Sequence, residues 1–257
     1  MTVPLAATEY GDGKPVAILH GLFGAGRNWT GIARSLASSY RVVVFDLRNH
    51  GASPWAETMA YADMAEDVRA AMSARGYPRY ALVGHSMGGK VAMLAALLGG
   101  GAVERVAVVD IAPVAYPIGF APYLQAMRGL DLGAITRRGD ADARLAASVP
   151  DAGERGFLLQ NLVLGDGAAR WQLNLAALEA AMAGLHDFPA LPPGTTYDGP
   201  ALFVAGGKSG YLRPEHEAAV RTLFPNAVVA RIETAGHWVH IEQPELFLGL
   251  LTEFLAG

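Results

Sequence analysis

Ser86 stands in the stretch Gly84-His85-Ser86-Met87-Gly88-Gly89, with one glycine two residues before it and another two after. A serine hydroxyl attacks best when a sharp turn holds it clear of the backbone. Glycines at those two positions remove the Cβ atoms that would collide in such a turn. Before the stretch runs Tyr80-Ala81-Leu82-Val83, which reads as a buried strand. After it, Lys90 to Leu98 reads as a helix stopped by Gly99-Gly100-Gly101. A strand turning straight into a helix aims the first helical N–H groups at the serine, where they stabilise developing negative charge. The competing reading is a plain glycine turn, and the partners on offer elsewhere in the chain weigh against it.

Serine needs a base, and the base needs an acid to orient it. Of seven histidines, His237 lies in Thr234-Ala235-Gly236-His237-Trp238-Val239-His240, directly after the last strand, Val228–Ile232. His240 is its local competitor; His186 and His216 read as structural. The acid is harder to place. The loop after the strand Pro200–Ala205 reads Gly206-Gly207-Lys208-Ser209-Gly210-Tyr211 and holds no carboxylate; Asp198 precedes that strand and Glu215 falls in the next helix. The strand after the serine, Arg105–Val109, ends in Asp110, which is the expected acid; the alternative is a strand-end cap. An oxyanion hole needs two N–H groups aimed at one point. Met87 supplies one, and His20-Gly21-Leu22-Phe23-Gly24 the other, with Leu22 preferred and Phe23 next. His20 could serve only to pin that loop. Asp46, Arg48, Asn49 and His50 read as structural.

These groups meet only if their strands end at one edge. Leu5–Tyr10 and Val16–Leu19 read as strands joined through Gly11-Asp12-Gly13-Lys14 as a hairpin. A helix capped by Asn28 runs to about Ser39, Arg41–Phe45 is a buried strand, and Tyr61–Arg75 is a helix stopped at Gly76. A helix spans Pro214–Phe224, and another, with Pro at its first position, spans Pro244–Leu255. Apolar strands alternating with helices predict a mostly parallel sheet covered on both faces, an α/β architecture. Residues 111–196 break the alternation with helices around 118–130, 140–147, 153–163 and 174–184. This stretch reads as a helical lid inserted into a core of residues 1–110 and 197–257.

Composition narrows the function. Apolar residues make up 52% of 257, enough for a sizeable core, and the net charge of −4 argues against a nucleic-acid partner. There is no cysteine, which excludes disulfides, thiol nucleophiles and thiolate metal sites. No leader is visible at the N-terminus, and no apolar run is long enough to span a bilayer. A cytoplasmic protein acting on a small molecule is the default expectation, with no membrane partner. Oligomeric state is not legible.

The set His20-Gly21, Asp46-Leu47-Arg48-Asn49-His50-Gly51-Ala52-Ser53, Gly84-His85-Ser86-Met87-Gly88-Gly89 and Gly236-His237-Trp238 resembles the α/β-hydrolase superfamily over essentially the whole chain. Most members carry the acid about where Ser209 stands. With Val109-Asp110-Ile111-Ala112-Pro113, this chain is similar to the YbfF-like branch of small bacterial esterases, related to mitochondrial α/β-hydrolase-domain proteins. The resemblance implies the α/β-hydrolase fold, a Ser86–His237–Asp110 triad, and hydrolysis of acyl esters or acyl-CoA thioesters. No cofactor or metal is expected. The expected substrate wall is Phe23, Phe120, Tyr123, Met127, Trp171 and Trp238, which suits a small to medium apolar acyl or aryl group. Arg137 and Arg138 are candidates for a coenzyme A phosphate, against a plain solvated surface. A perhydrolase or carbon–carbon bond hydrolase would use the same triad. A non-catalytic binding protein would keep the pocket without turnover.

Overall fold

The computed structural model describes residues 1–117, 119–165 and 168–257. Its centre is a seven-stranded sheet ordered β1-β3-β2-β4-β5-β8-β9. The strands are β1 (Ala7–Tyr10), β2 (Lys14–Leu19), β3 (Tyr40–Phe45), β4 (Tyr80–His85), β5 (Val103–Val109), β8 (Ala201–Gly206) and β9 (Ala227–Ile232). All neighbours are parallel except β1 with β3. The central strands are mostly apolar because both faces of the sheet are covered there. Val16, Ile18, Val83, Val109 and Val204 face α1 (Thr30–Leu36) and α10 (Pro244–Ala256) in one buried cluster. The alternating Ala17, Leu19, Leu82, Val108 and Phe203 join the other, against α2 (Tyr61–Ala74) and α3 (Met87–Leu98).

The expected hairpin does not form. β1 pairs antiparallel with β3, which lies between β1 and β2. The glycine turn is real, but it wraps over the start of β3. A Cβ on Gly11, at φ +66, would sit 2.1 Å from the Ala37 carbonyl. A local turn signal does not reveal an intervening strand. Asn28 is also not the start of its helix. It lies in the 3-10 turn Gly26–Trp29, and its side chain accepts the Ala25 N–H at 2.8 Å.

Between β5 and β8 the chain forms α4 (Ala121–Arg128), α5 (Arg138–Leu145), α6 (Ala152–Leu159) and α7 (Leu175–His186). The first of the expected helices began at Ile118, which lies outside the described residues. The third ends earlier than expected. After α6 the chain becomes β6 (Leu162–Val163), paired antiparallel with β7 (Arg170–Trp171). Leu124, Met127, Leu158, Trp171 and Leu178 of this segment belong to the same buried cluster as α2 and α3. Its last helix is tied down by Lys90 Nζ, which donates to the carbonyls of His186 (3.0 Å) and Asp187 (2.7 Å). A cation at a helix C-terminus satisfies carbonyls that the helix itself leaves free. Among the described residues no helix is long and apolar enough to cross a membrane.

Candidate active site

Ser86 sits between β4 and α3 with φ 51° and ψ −118°, a left-handed conformation that costs a non-glycine residue about 1–3 kcal/mol. Two glycines make the turn possible. A Cβ on Gly84 would lie 2.1 Å from the Gly88 carbonyl, and one on Gly88 would lie 2.5 Å from the His20 carbonyl. The serine N–H donates to Val109 O at 3.0 Å, and the Lys90 N–H to Ser86 O at 3.1 Å opens the helical ladder. Met87 N–H therefore precedes the ladder at the helix N-terminus.

β9 leads into the loop that carries His237. Its Nε2 lies 3.1 Å from Ser86 Oγ and its Nδ1 lies 2.8 Å from Asp110 Oδ2. A carboxylate can only accept, so Nδ1 carries the proton and Nε2 is left to accept from the serine hydroxyl. Asp110 is fully buried and also takes a positive φ, 51°. It ends β5, the neighbour of β8, and its side chain reaches across to the loop that follows β8. There Oδ1 accepts the Gly206 N–H at 2.9 Å, and Oδ2 accepts the Ser209 hydroxyl as well as His237. Ser209 is thus a donor to the acid, a role the sequence did not reveal although its position had been singled out.

Further groups fix the histidine. Tyr211 stacks on its ring, with centroids 4.2 Å apart. His85 Nε2 donates to the His237 carbonyl at 2.9 Å. Glu242, in the short helix α9 (Val239–Glu242), accepts the N–H groups on both sides of the base, Gly236 at 2.7 Å and Trp238 at 3.1 Å. His240, the rival base, lies instead on Trp29, with rings stacked 3.9 Å apart, and its buried Nδ1 has no partner among the described residues. Burial, and then the neighbouring His237, push its pKa down to about 3.

The loop after β2 holds the second candidate donor. His20 Nδ1 donates to Gly21 O at 2.8 Å, and its Nε2 accepts the Leu47 N–H at 2.9 Å. His50 Nδ1 donates to Arg48 O at 2.9 Å, which leaves Nε2 to accept the Phe23 N–H at 3.3 Å. Burial holds both rings in the neutral form, His50 down to about 3. The Phe23 N–H is therefore engaged, while the Leu22 N–H has no acceptor among the described residues. Asn161 Nδ2 donates to Phe23 O at 2.7 Å and carries the same loop from the other side. Arg48 is buried and pairs bidentately with buried Asp67, at 2.7 and 2.9 Å.

A cavity of about 360 Å³ opens over Ser86 and His237. Phe23, Phe120, Tyr123 and Trp238 line it. Met127 and Trp171 do not: both are buried in the helical segment, where the Trp171 indole N–H donates to the Met127 carbonyl at 3.0 Å. Arg137 and Arg138 are also absent from the lining. Arg137 pairs with Asp140, and Arg138 donates to the Leu159 and Leu162 carbonyls. A second space of about 30 Å³ lies on the other side of Ser86, against Met87, Lys90 and Tyr116. Among the described residues no group of three or more His, Asp or Glu is placed to hold a metal ion.

Comparison with known proteins agrees with this fold. Residues 14–244 match the family model described as alpha/beta hydrolase fold. The chain is 39% identical to the sn-1-specific diacylglycerol lipase ABHD11 of Mus musculus, covering 94% of this chain and 80% of that protein. It is 31% identical to Esterase YbfF of Escherichia coli (strain K12), covering 95% of this chain and 94% of that one. Among solved structures, a marine microorganism esterase superposes with a TM-score of 0.94 at 31% identity, covering 98% of this chain and 100% of the other.

Proposed function

The chain is a carboxylesterase-type hydrolase of the alpha/beta hydrolase fold family, in its YbfF-like esterase branch, and from that premise we propose that it cleaves carboxylic esters of small to medium apolar acyl or aryl groups through a Ser86–His237–Asp110 triad. The observation that carries the reading is the unbroken relay of hydrogen bonds from Ser86 Oγ through both nitrogens of His237 to a buried carboxylate.

In this mechanism His237 Nε2 takes the hydroxyl proton as Ser86 Oγ attacks the acyl carbonyl carbon. Asp110 holds the tautomer and stabilises the imidazolium that forms. The N–H groups of Leu22 and Met87 receive the oxyanion, in a site where buried donors are worth far more than in water. Collapse of the tetrahedral intermediate expels the alcohol, which takes the proton from His237. Water activated by the same base then releases the acid. Residues 111–196 act as a lid on a core of residues 1–110 and 197–257, since Phe120, Tyr123, Glu154, Phe157 and Leu158 come from that segment to wall the cavity. The diacylglycerol lipases among the relatives act on an ester, which fits the reaction class. An acyl-CoA thioester would have to bind without Arg137 and Arg138 at the cavity.

The test is hydrolysis of p-nitrophenyl esters of graded chain length, with matched acyl-CoA thioesters, by wild type and Ser86→Ala. Ester turnover that falls with chain length beyond the cavity and is abolished by the substitution supports the reading. A folded wild type inert to every ester overturns it in favour of a binding protein.

A further inference from the structure

The cavity over Ser86 has a charge as well as a shape. Two carboxylates, Glu154 and Glu242, line it, and no lysine or arginine does among the described residues. The three buried histidines on its wall, His20, His85 and His240, are held neutral, chiefly by burial. Glu242 is already occupied by two backbone N–H groups. Glu154 is not. It receives one side-chain hydrogen bond, from the Tyr123 hydroxyl to Oε2 at 2.7 Å, and has no cationic partner among the described residues.

Aromatic rings lead from the base to that carboxylate along two walls. Tyr211 stacks on His237; Phe120 lies parallel to Tyr211 with centroids 6.5 Å apart; Tyr123 follows at 6.2 Å and ends on Glu154. On the other wall Trp238 meets Phe157 at 5.3 Å, and Phe157 shares a face of α6 with Glu154, three residues away. Ring faces carry negative electrostatic potential and attract cations, and a carboxylate at the end of such a box adds to that attraction.

Resting on the esterase reading, we propose that this cavity holds a cation-selective subsite beside the place of the apolar acyl group: the alcohol portion of the ester bears an ammonium, Glu154 is the specificity-determining residue of that subsite, and anionic groups are excluded from it.

Three compounds of matched shape test this: choline, the neutral 3,3-dimethylbutan-1-ol and the anionic 3,3-dimethylbutanoate. Each is titrated calorimetrically into the folded full chain and assayed as an inhibitor of p-nitrophenyl acetate hydrolysis. Choline is expected to bind about tenfold more tightly than the alcohol, with the carboxylate weakest. Glu154→Gln, which keeps shape and the Tyr123 contact, should erase the choline advantage while calorimetric binding of the neutral alcohol changes less than about threefold. Equal binding of choline and the alcohol overturns the proposal, as does a choline preference that survives in Glu154→Gln. Calorimetry needs no turnover, so a protein that binds choline selectively but hydrolyses nothing refutes the esterase reading and leaves the subsite standing.

Discussion

At the scale of single residues, the proposed chemistry rests on where three side chains meet. Asp110 is buried, accepts from Gly206, Ser209 and His237, and leaves Nε2 of the base free for Ser86. Asp110→Asn would keep the shape and present the wrong partner to Nδ1. We expect kcat for p-nitrophenyl acetate to fall by about 10⁴ with thermal stability little changed; a fall of less than tenfold would remove Asp110 from the mechanism. That Ser86, Asp110 and His237 lie at one edge was legible in the sequence because each belongs to a segment leaving the carboxyl end of a parallel strand, β4, β5 and β9 in turn. Met127 and Trp171 were not legible as core. An apolar side chain at helical spacing reads the same whether it faces a cavity or its own neighbours. Tyr211 and Glu242 carried no sequence signal, since stacking and backbone capping of the base depend on how two loops meet.

At the scale of elements, short segments hold the reacting groups in place. α9 is only Val239–Glu242, yet its last residue binds the peptide N–H groups on both sides of His237. Glu242→Gln loses charge and acceptor capacity there. The expected result is a ten- to hundredfold lower kcat with KM nearly unchanged, because small misplacement of a base is costly; steady-state kinetics showing a KM effect alone would contradict it. The loop 46–53 is held differently. Asp67 on α2 neutralises Arg48, whose neighbour His50 accepts the Phe23 N–H. Asp67→Ala takes away the buried bidentate partner of Arg48 and leaves it only the looser, partly exposed Asp63 at 3.4 Å, a cost of about 3 kcal/mol. That predicts a Tm lower by roughly 10 °C in calorimetry. The element order was readable from alternating apolar strands and helices. The β1–β3 pairing and the β6–β7 ribbon were not, because each depends on contacts remote in sequence from its own turn signals.

At the scale of the whole molecule, buried neutral histidines make the fold acid-sensitive. His50 and His240 each have a folded pKa of about 3, against an unfolded value near 6.5. Between those values the unfolded chain binds more protons, so stability is complete above about pH 6.5 and is lost as pH falls toward 3. His240→Phe keeps a ring on Trp29 and removes both the titration and the unpartnered Nδ1. Its Tm should fall less steeply than that of wild type between pH 6.5 and 4; parallel Tm–pH curves would contradict this. The sequence could suggest an inserted helical segment but not how it is held, since Lys90 and Arg27 reach groups on it, and its Asn161 reaches the Phe23 carbonyl, through hydrogen bonds between residues remote in sequence. In the proposed mechanism these parts converge on one activated serine. The most direct test is intact mass spectrometry after treatment with a fluorophosphonate, with peptide mapping. A single adduct on Ser86 is expected, abolished in Ser86→Ala and slowed in Asp110→Asn; a folded wild type that takes no adduct, or takes it on another residue, would rule out an activated Ser86.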